Sequence, residues 1–392
     1  MENAHHGRVR VRLLTGPNVL DELSERLDDL HTATACPVTA RRPWLSTWTR
    51  CYTHHQPVGV VAEGADDRLE GAALLARRRT RGLTHVVAMG HGPSDQVRLA
   101  VRSAAAAEEL GRGIADFMGS LPRPWALRLR HLPQDDAVAT VLAERLGHAR
   151  LVPGDVSPVT RFSGDRRLRT YVSRNHHQQV QRMNNRIRRE GLCLDVAHLS
   201  EPQKVASVLD EVEVVCRSRD VEVRGWSPLH DGPGGPFFRQ VILDHAERDE
   251  VELTTLRLEG QLTSYVLCFR DGRAYRMWSC RVAPAWKRYG AGRLGNNAAL
   301  AHALADEHCT EFDWMRGDEN YKFSMANDVE QAQDLMAWSS SAVGVVADAR
   351  RRFKVQLLSS AERFAAVERV LPHVRRLDER SRGVRRRLWR AP

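Results

Sequence analysis

The sequence predicts an α/β protein with mixed sheets, built from one unit that occurs twice. Three observations predict it. The order strand, strand, strand, helix, strand recurs, at 58–64, 69–76, 84–90, 104–118 and 124–129, then at 251–260, 261–269, 274–280, 296–307 and 311–314. Alternating apolar residues mark the strands, and self-similarity at a long period marks a duplication. The runs Tyr265–Phe269 and Ala274–Cys280 flank Asp271-Gly272, the signature of a β-hairpin. Behind that hairpin, Lys287-x-x-Gly290-x-Gly292 leads straight into an Ala/Leu-rich helix. The expected division is an N-terminal unit at 1–160, a second unit at 161–345, and a helical, Arg-rich extension at 346–392.

Taken in order, residues 19–30 have helical apolar spacing, and 43–52 form a helix with Pro43 at its start. Trp44 and Trp48 share one face of that helix, as core residues would. The first repeat carries Gly90-His-Gly-Pro-Ser-Asp95 where the second has its basic glycine loop. Residues 160–191 read as a long Arg-rich helix, with Leu168, Val172, Val180, Met183 and Ile187 near helical spacing and Gly191 as its stop. His176-His177 makes a poor metal pair, since adjacent helical residues point about 100° apart. A helix at 199–214 follows, with Ser200 as N-cap and Pro202 in the first turn. Residues 225–236 are a Gly/Pro-rich loop, either a connector or a lid over a substrate. A helix over 237–248 leads to the second strand set. Beyond Trp338, helices are expected at 347–353 and 361–371, before a basic tail containing Trp389.

The chemistry gathers at the second glycine loop. Glycines permit positive φ and let successive N–H groups face one way. A helix start adds unpaired N–H groups and partial positive charge. Together they make a seat for a pyrophosphate, although an ordinary Gly-rich turn has the same spacing. The seat would comprise Val282, Gly290, Ala291 and Gly292, with Lys287, Arg288 and Arg293 supplying charge. Downstream stands Phe312-Asp-Trp-Met-Arg-Gly-Asp-Glu-Asn-Tyr-Lys-Phe323. Its Asp318, Glu319, Tyr321 and Lys322 form the best polar cluster nearby. A carboxylate there could take a proton, Tyr321 could return one, and Lys322 could steady either charge. A structural Asp318–Lys322 ion pair is the competing reading.

These motifs resemble the GNAT acyltransferase superfamily, whose pyrophosphate loop reads Gln/Arg-x-x-Gly-x-Gly/Ala; here Lys287 departs from the first position but keeps its charge. The 312–323 segment resembles the ending of a tandem branch, the cellulose-biosynthesis-type acetyltransferases and the Fem peptidyltransferases. The resemblance spans about residues 40–345. It implies a tandem GNAT-like fold and transfer of an acyl group to an amine by direct attack, without a covalent enzyme intermediate. It also implies an oxyanion held by backbone N–H groups where the strand over 278–282 splays. A basic helix between the units would line the substrate cleft, making Asn175, His176, Asn184 and Trp278 candidate substrate contacts.

Charge leaves the donor open. The chain of 392 residues carries a net +10, with +7 in residues 161–190 and +6 in 375–392. An intact glycine loop favours acyl-CoA or acetyl-CoA. The two Arg patches suit aminoacyl-tRNA, or a non-catalytic RNA-binding role. Seven scattered cysteines with no Cys-x-x-Cys fit a reducing cytoplasm and no metal. The N-terminus shows no apolar signal core, and no stretch approaches the ~20 apolar residues of a membrane span. The acceptor is an amine that the sequence does not identify.

Overall fold

The computed structural model describes residues 9–229, 232–346 and 349. Its first compact unit runs to Ala337. Of the second, which begins at Trp338, a helical turn at 341–346 is described. The helices expected at 347–353 and 361–371 and the basic tail lie outside the described residues, apart from residue 349.

The first half of the chain contains β1 (Arg10–Thr15), α1 (Val19–Ala33), α2 (Arg42–Cys51), β2 (Gln56–Glu63), β3 (Leu69–Thr80), β4 (Leu83–Ala88), β5 (Ala100–Val101), α3 (Ala104–Ser120), β6 (Trp125–Pro133), α4 (Ala137–Arg145) and β7 (Ala149–Arg161). The second half contains α5 (Leu168–Tyr171), α6 (Arg174–Arg189), β8 (Leu194–Leu199), α7 (Pro202–Arg224), α8 (Gly234–Ala246), β9 (Val251–Leu258), β10 (Gln261–Asp271), β11 (Ala274–Val282), α9 (Ala291–Ala305), β12 (Glu311–Asp313), α10 (Asn320–Phe323) and β13 (Asp328–Trp338).

The repeat is visible in the pairing. β1-β2-β3-β4 is antiparallel and then β4 meets β6 in parallel; β8-β9-β10-β11 is antiparallel and then β11 meets β12 in parallel. The helix that makes each parallel crossover is α3 in one half and α9 in the other. All strands join one mixed sheet, because the last strand of each half lies in the other. β7 pairs with β12, β13 neighbours β6, and β7 and β13 pair antiparallel at the centre. The division expected at 160/161 therefore falls at the end of a strand already lodged in the second half.

One face of the sheet carries a core common to both halves. It draws Leu23, Leu27 and Leu30 from α1, Trp44 and Trp48 from α2, Val205 and Leu209 from α7, and Phe237 and Val241 from α8. Trp44 is fully buried, with the rings of Phe237, Phe269 and Trp278 at 5.3, 5.4 and 5.2 Å in edge-on contact, a geometry favoured by the ring quadrupole. On the opposite face, α3 and α4 cover the first half, and α5, α6 and α9 cover the second.

Three boundaries differ from expectation. The Arg-rich segment is not one helix. It breaks at Val172, and Ser173 caps α6 by accepting the His176 N–H. α7 runs ten residues past Val214, to Arg224, where Gly225 in the left-handed region (φ 78°) stops it; it starts without a side-chain cap, after Glu201. α9 begins at Ala291, five residues early, because Gly292 and Gly295 lie inside the helix.

Candidate active site

The glycine loop is built as a helix start. After Val282 a 3-10 turn spans Pro284–Tyr289, Gly290 takes φ 69°, and α9 starts at Ala291 with no side-chain cap. The Arg293 and Leu294 N–H groups donate to the Gly290 carbonyl, and those of Ala291 and Gly292 are left for a ligand. Gly290 is needed twice over, since its φ is left-handed and a Cβ there would overlap Met183 of α6. At Gly292 a Cβ would meet only Val282, at 3.5 Å, an ordinary contact. The equivalent helix of the first half, α3, is closed by the Ser103 side chain, which accepts the Ala106 N–H.

A wedge opens beside this loop. The β10–β11 register slips between Leu267 and Cys268, which leaves Trp278 as an extra residue in β11. The parallel β11–β12 pairing stops at Arg276 and Asp313, so β11 from Met277 to Val282 runs on without β12 beside it. Into that wedge comes the 315–323 segment. The result is a cleft of about 430 Å³, lined by Cys280, Val282, Gly292 and Arg293 on one side and by Glu319 and Tyr321 on another. That volume suits a small-molecule site.

The predicted catalytic residues separate into distinct places. The Tyr321 hydroxyl lies 3.6 Å from the Cys280 thiol inside the cleft. Burial pushes its phenol well above the ordinary value, with Cys280 adding to the effect, so it stands protonated as a donor. Glu319 lines the cleft and remains half-exposed. Lys322 is buried and holds the loop together, with Nζ at 3.0 Å from the Glu319 carboxylate and donating to the carbonyls of Met315 (3.2 Å) and Arg316 (2.6 Å). Gly317 makes room for this, because a Cβ there would stand 2.9 Å from Nζ. The ion pair thus runs to Glu319 rather than to Asp318, which is exposed and does not line the cleft.

The cations of the loop also divide. Lys287 pairs with Glu222 of α7, and Arg288 lies 3.8 Å from Glu190 with its guanidinium over the Tyr289 ring. Both tie the loop to its neighbours, while Arg293 faces the cleft. The four expected substrate contacts lie elsewhere. His176 is buried, its ring held between Asn297 (3.3 Å) and Ser324 (3.4 Å), and burial lowers its pKa. Asn175 is exposed and accepts from Gln179, and Asn184 is half-buried away from the cleft. Trp278 points into the shared core, stacked on Phe238, with Nε1 donating to the Pro93 carbonyl at 3.0 Å. The bulge that opens the wedge lies at this residue.

Other groups in the cleft escaped sequence reasoning. Asp220 of α7 is buried and accepts from Ser227 (3.2 Å) and from Arg281 Nε (3.3 Å). Ser264 Oγ and Asn296 Oδ1 are buried without a hydrogen-bond partner and line the cleft. An unmet buried polar atom costs stability unless a ligand or water meets it. A period-2 reading of β11 through Arg281 would have flagged that side chain; Asp220 sits in a charged helical stretch that carries no local signal.

In the first half, the place of the glycine loop is packed by its own residues. Ser94 accepts from Trp44 Nε1 (2.8 Å) and donates to the Thr39 carbonyl (3.1 Å), and the Trp48 indole donates to the His91 carbonyl (3.2 Å). Asp95 pairs with Arg316, whose guanidinium also donates to His131 Nε2 at 2.6 Å. The 312–323 motif is therefore pinned to the first half by Arg316 and borders the cleft through Glu319 and Tyr321.

Residues 174–323 match the family model of the acetyltransferase (GNAT) domain. No curated protein matches the chain by sequence. Among solved structures the chain is similar to FemX, with a TM-score of 0.58 at 9% identity over 81% of this chain and 97% of that one. It is also similar to the C-terminal domain of a putative lysylphosphatidylglycerol synthetase from Agrobacterium fabrum, with a TM-score of 0.53 at 10% identity over 84% and 96%. A protein of unknown function from Bacteroides thetaiotaomicron gives a TM-score of 0.52 at 10% identity over 84% and 100%. At these identities the likeness is one of fold. No helix among the described residues is long and apolar enough to cross a membrane.

Proposed function

We propose that the chain is a GNAT-type acyltransferase, a reading supported by the acetyltransferase-domain match over 174–323 and the FemX-like fold, and that it moves an acyl group from acyl-CoA to an amine by direct attack. The observation that carries this reading is the single cleft joining the uncapped start of α9 to Tyr321 and Glu319. The N–H groups of Ala291 and Gly292 and the Arg293 side chain would hold the pyrophosphate, the Arg293 N–H being donated to the Gly290 carbonyl. The thioester would lie in the wedge beside β11, whose unpaired edge supplies N–H groups for the oxyanion. Glu319 would take the amine proton, and the protonated Tyr321 would supply one to the departing thiolate. Holding both reactants together accounts for much of the rate. Asp318 and Lys322 would shape the loop. Seven free cysteines agree with a cytoplasmic setting. The two-unit reading, with a donor site in the second unit, goes with this proposal.

A second reading is kept for one observation, the surplus of arginine in 161–190 and 375–392. It makes the donor an aminoacyl-tRNA, as the resemblance of the 312–323 segment to Fem-type enzymes implies, or makes the protein an RNA binder without catalysis. Thermal unfolding with and without CoA separates these. A rise in Tm with CoA that is lost in Gly292→Asp supports acyl-CoA. RNA retained through purification, with affinity falling steeply as salt rises, and no response to CoA would replace it with tRNA.

A further inference from the structure

His198 on β8, Glu252 on β9 and His302 on α9 bring one ligand atom each to within 4.8 Å of the other two. Glu252 is buried, and His302 Nε2 lies 3.2 Å from its Oε1. The His198 Nδ1 lies 2.9 Å from Thr254 Oγ1, a contact that fixes the ring. A hydrogen-bond partner on the second nitrogen, most often a carboxylate, carbonyl or water, orients a metal-bound imidazole, and the Thr254 hydroxyl can fill that place. The His302 side chain is one-third exposed and leaves a path for an ion from solvent.

We propose that His198, Glu252 and His302 form a divalent-cation site for a transition ion of the zinc type. Two imidazoles and one carboxylate suit zinc and its neighbours, whereas magnesium and calcium prefer oxygen throughout. Three protein ligands leave a fourth position for water on the exposed side. The two rings stack at 4.0 Å with an interplanar angle of 10°, so their lone pairs lie in parallel planes. Both nitrogens converge on one ion only after one ring turns about Cβ–Cγ, a rotation that the partly exposed His302 side chain can make. The three residues are separated by some fifty positions each way, and this is why no spacing motif announces them and the sequence suggested no metal. His302 stands eleven residues beyond Ala291 on α9, roughly 16 Å along the axis at 1.5 Å per residue. The ion therefore takes no part in acyl transfer. It ties the donor helix to β8 and β9 at the edge of the sheet.

The test is calorimetric titration of zinc chloride into the chelator-treated full-length protein. One ion per chain is expected, with a Kd below about 10 µM. Glu252→Gln and His302→Ala should each weaken binding at least ~10-fold with unchanged circular dichroism, and zinc should raise Tm in the parent protein only. Absence of stoichiometric binding in the parent, or binding retained in His302→Ala, overturns the site. Should Glu252→Gln fail to fold, His302→Ala, at a side chain one-third exposed, decides alone. CoA binding at α9 is read independently, so failure here leaves the acyltransferase reading standing.

Discussion

Gly290 and Gly292 stand two positions apart in one loop and have different duties. Gly290 needs its left-handed φ and the contact with Met183, so Gly290→Ala should lower stability by about 2–4 kcal/mol in a denaturant titration, combining the φ cost with overpacking. Gly292 has room for a side chain, and Gly292→Asp should stay folded by circular dichroism while losing donor binding, its charge facing the phosphates. Spacing alone gives the two glycines equal weight; the Met183 contact comes from a helix a hundred residues away. Tyr321 is the residue on which the proton return depends. Tyr321→Phe should lower kcat roughly 100-fold with KM nearly unchanged, as removal of a general acid does; an unchanged kcat would move that role elsewhere. The motif around Tyr321 was legible because aromatic, acidic and basic residues crowd a short stretch. Which carboxylate meets Lys322 was not, since Asp318 and Glu319 differ only in where a local turn at Gly317 aims them.

At the scale of elements, β11 and β12 meet over only three residue pairs. Arg276 locks that meeting, with Nη1 at 2.8 Å from the buried Asp313 and Nε at 2.5 Å from Asp271. Arg276→Met should cost roughly 3–5 kcal/mol in chemical denaturation, because it leaves the buried Asp313 without its guanidinium while Asp271 keeps Arg41, and the wedge that carries Tyr321 should loosen with it. The strands and the hairpin were readable from alternation and the Asp-Gly turn. The end of α7 and the start of α9 were not. Arg217-Ser-Arg-Asp220 looks solvated until Asp220 is buried against Arg281, and helical glycines look like loop until the chain on either side is in place.

Acid should unfold the whole molecule early. Burial lowers His31 and His91 to about 4 and His131 to about 3. The unfolded histidines take up protons from about pH 6.5 downward while the folded ones do not, so this stability is present above that range and is lost as pH falls. Burial raises Asp95 and Asp136 to about 6, which works the other way between their ordinary value and 6. His54, His55 and His176 are lowered as well, and Asp313 and Glu311 raised, so depressed histidines outnumber raised carboxylates and the net is a loss of stability as pH falls below about 6.5. The urea midpoint should therefore fall from pH 7 to pH 5; a flat or rising midpoint would refute this balance.

The crossed last strands have a consequence for how such a chain could arise. β7 and β13 occupy each other's halves, which is the geometry of a domain-swapped homodimer whose two copies have been joined end to end. A fragment stopping after Arg161 would carry β7 with no β12 to receive it and β6 with no β13 beside it. Its lowest-energy partner is a second copy of itself, so the isolated first half should be recovered as a dimer by light scattering, an ancestral assembly restored by cutting the tether.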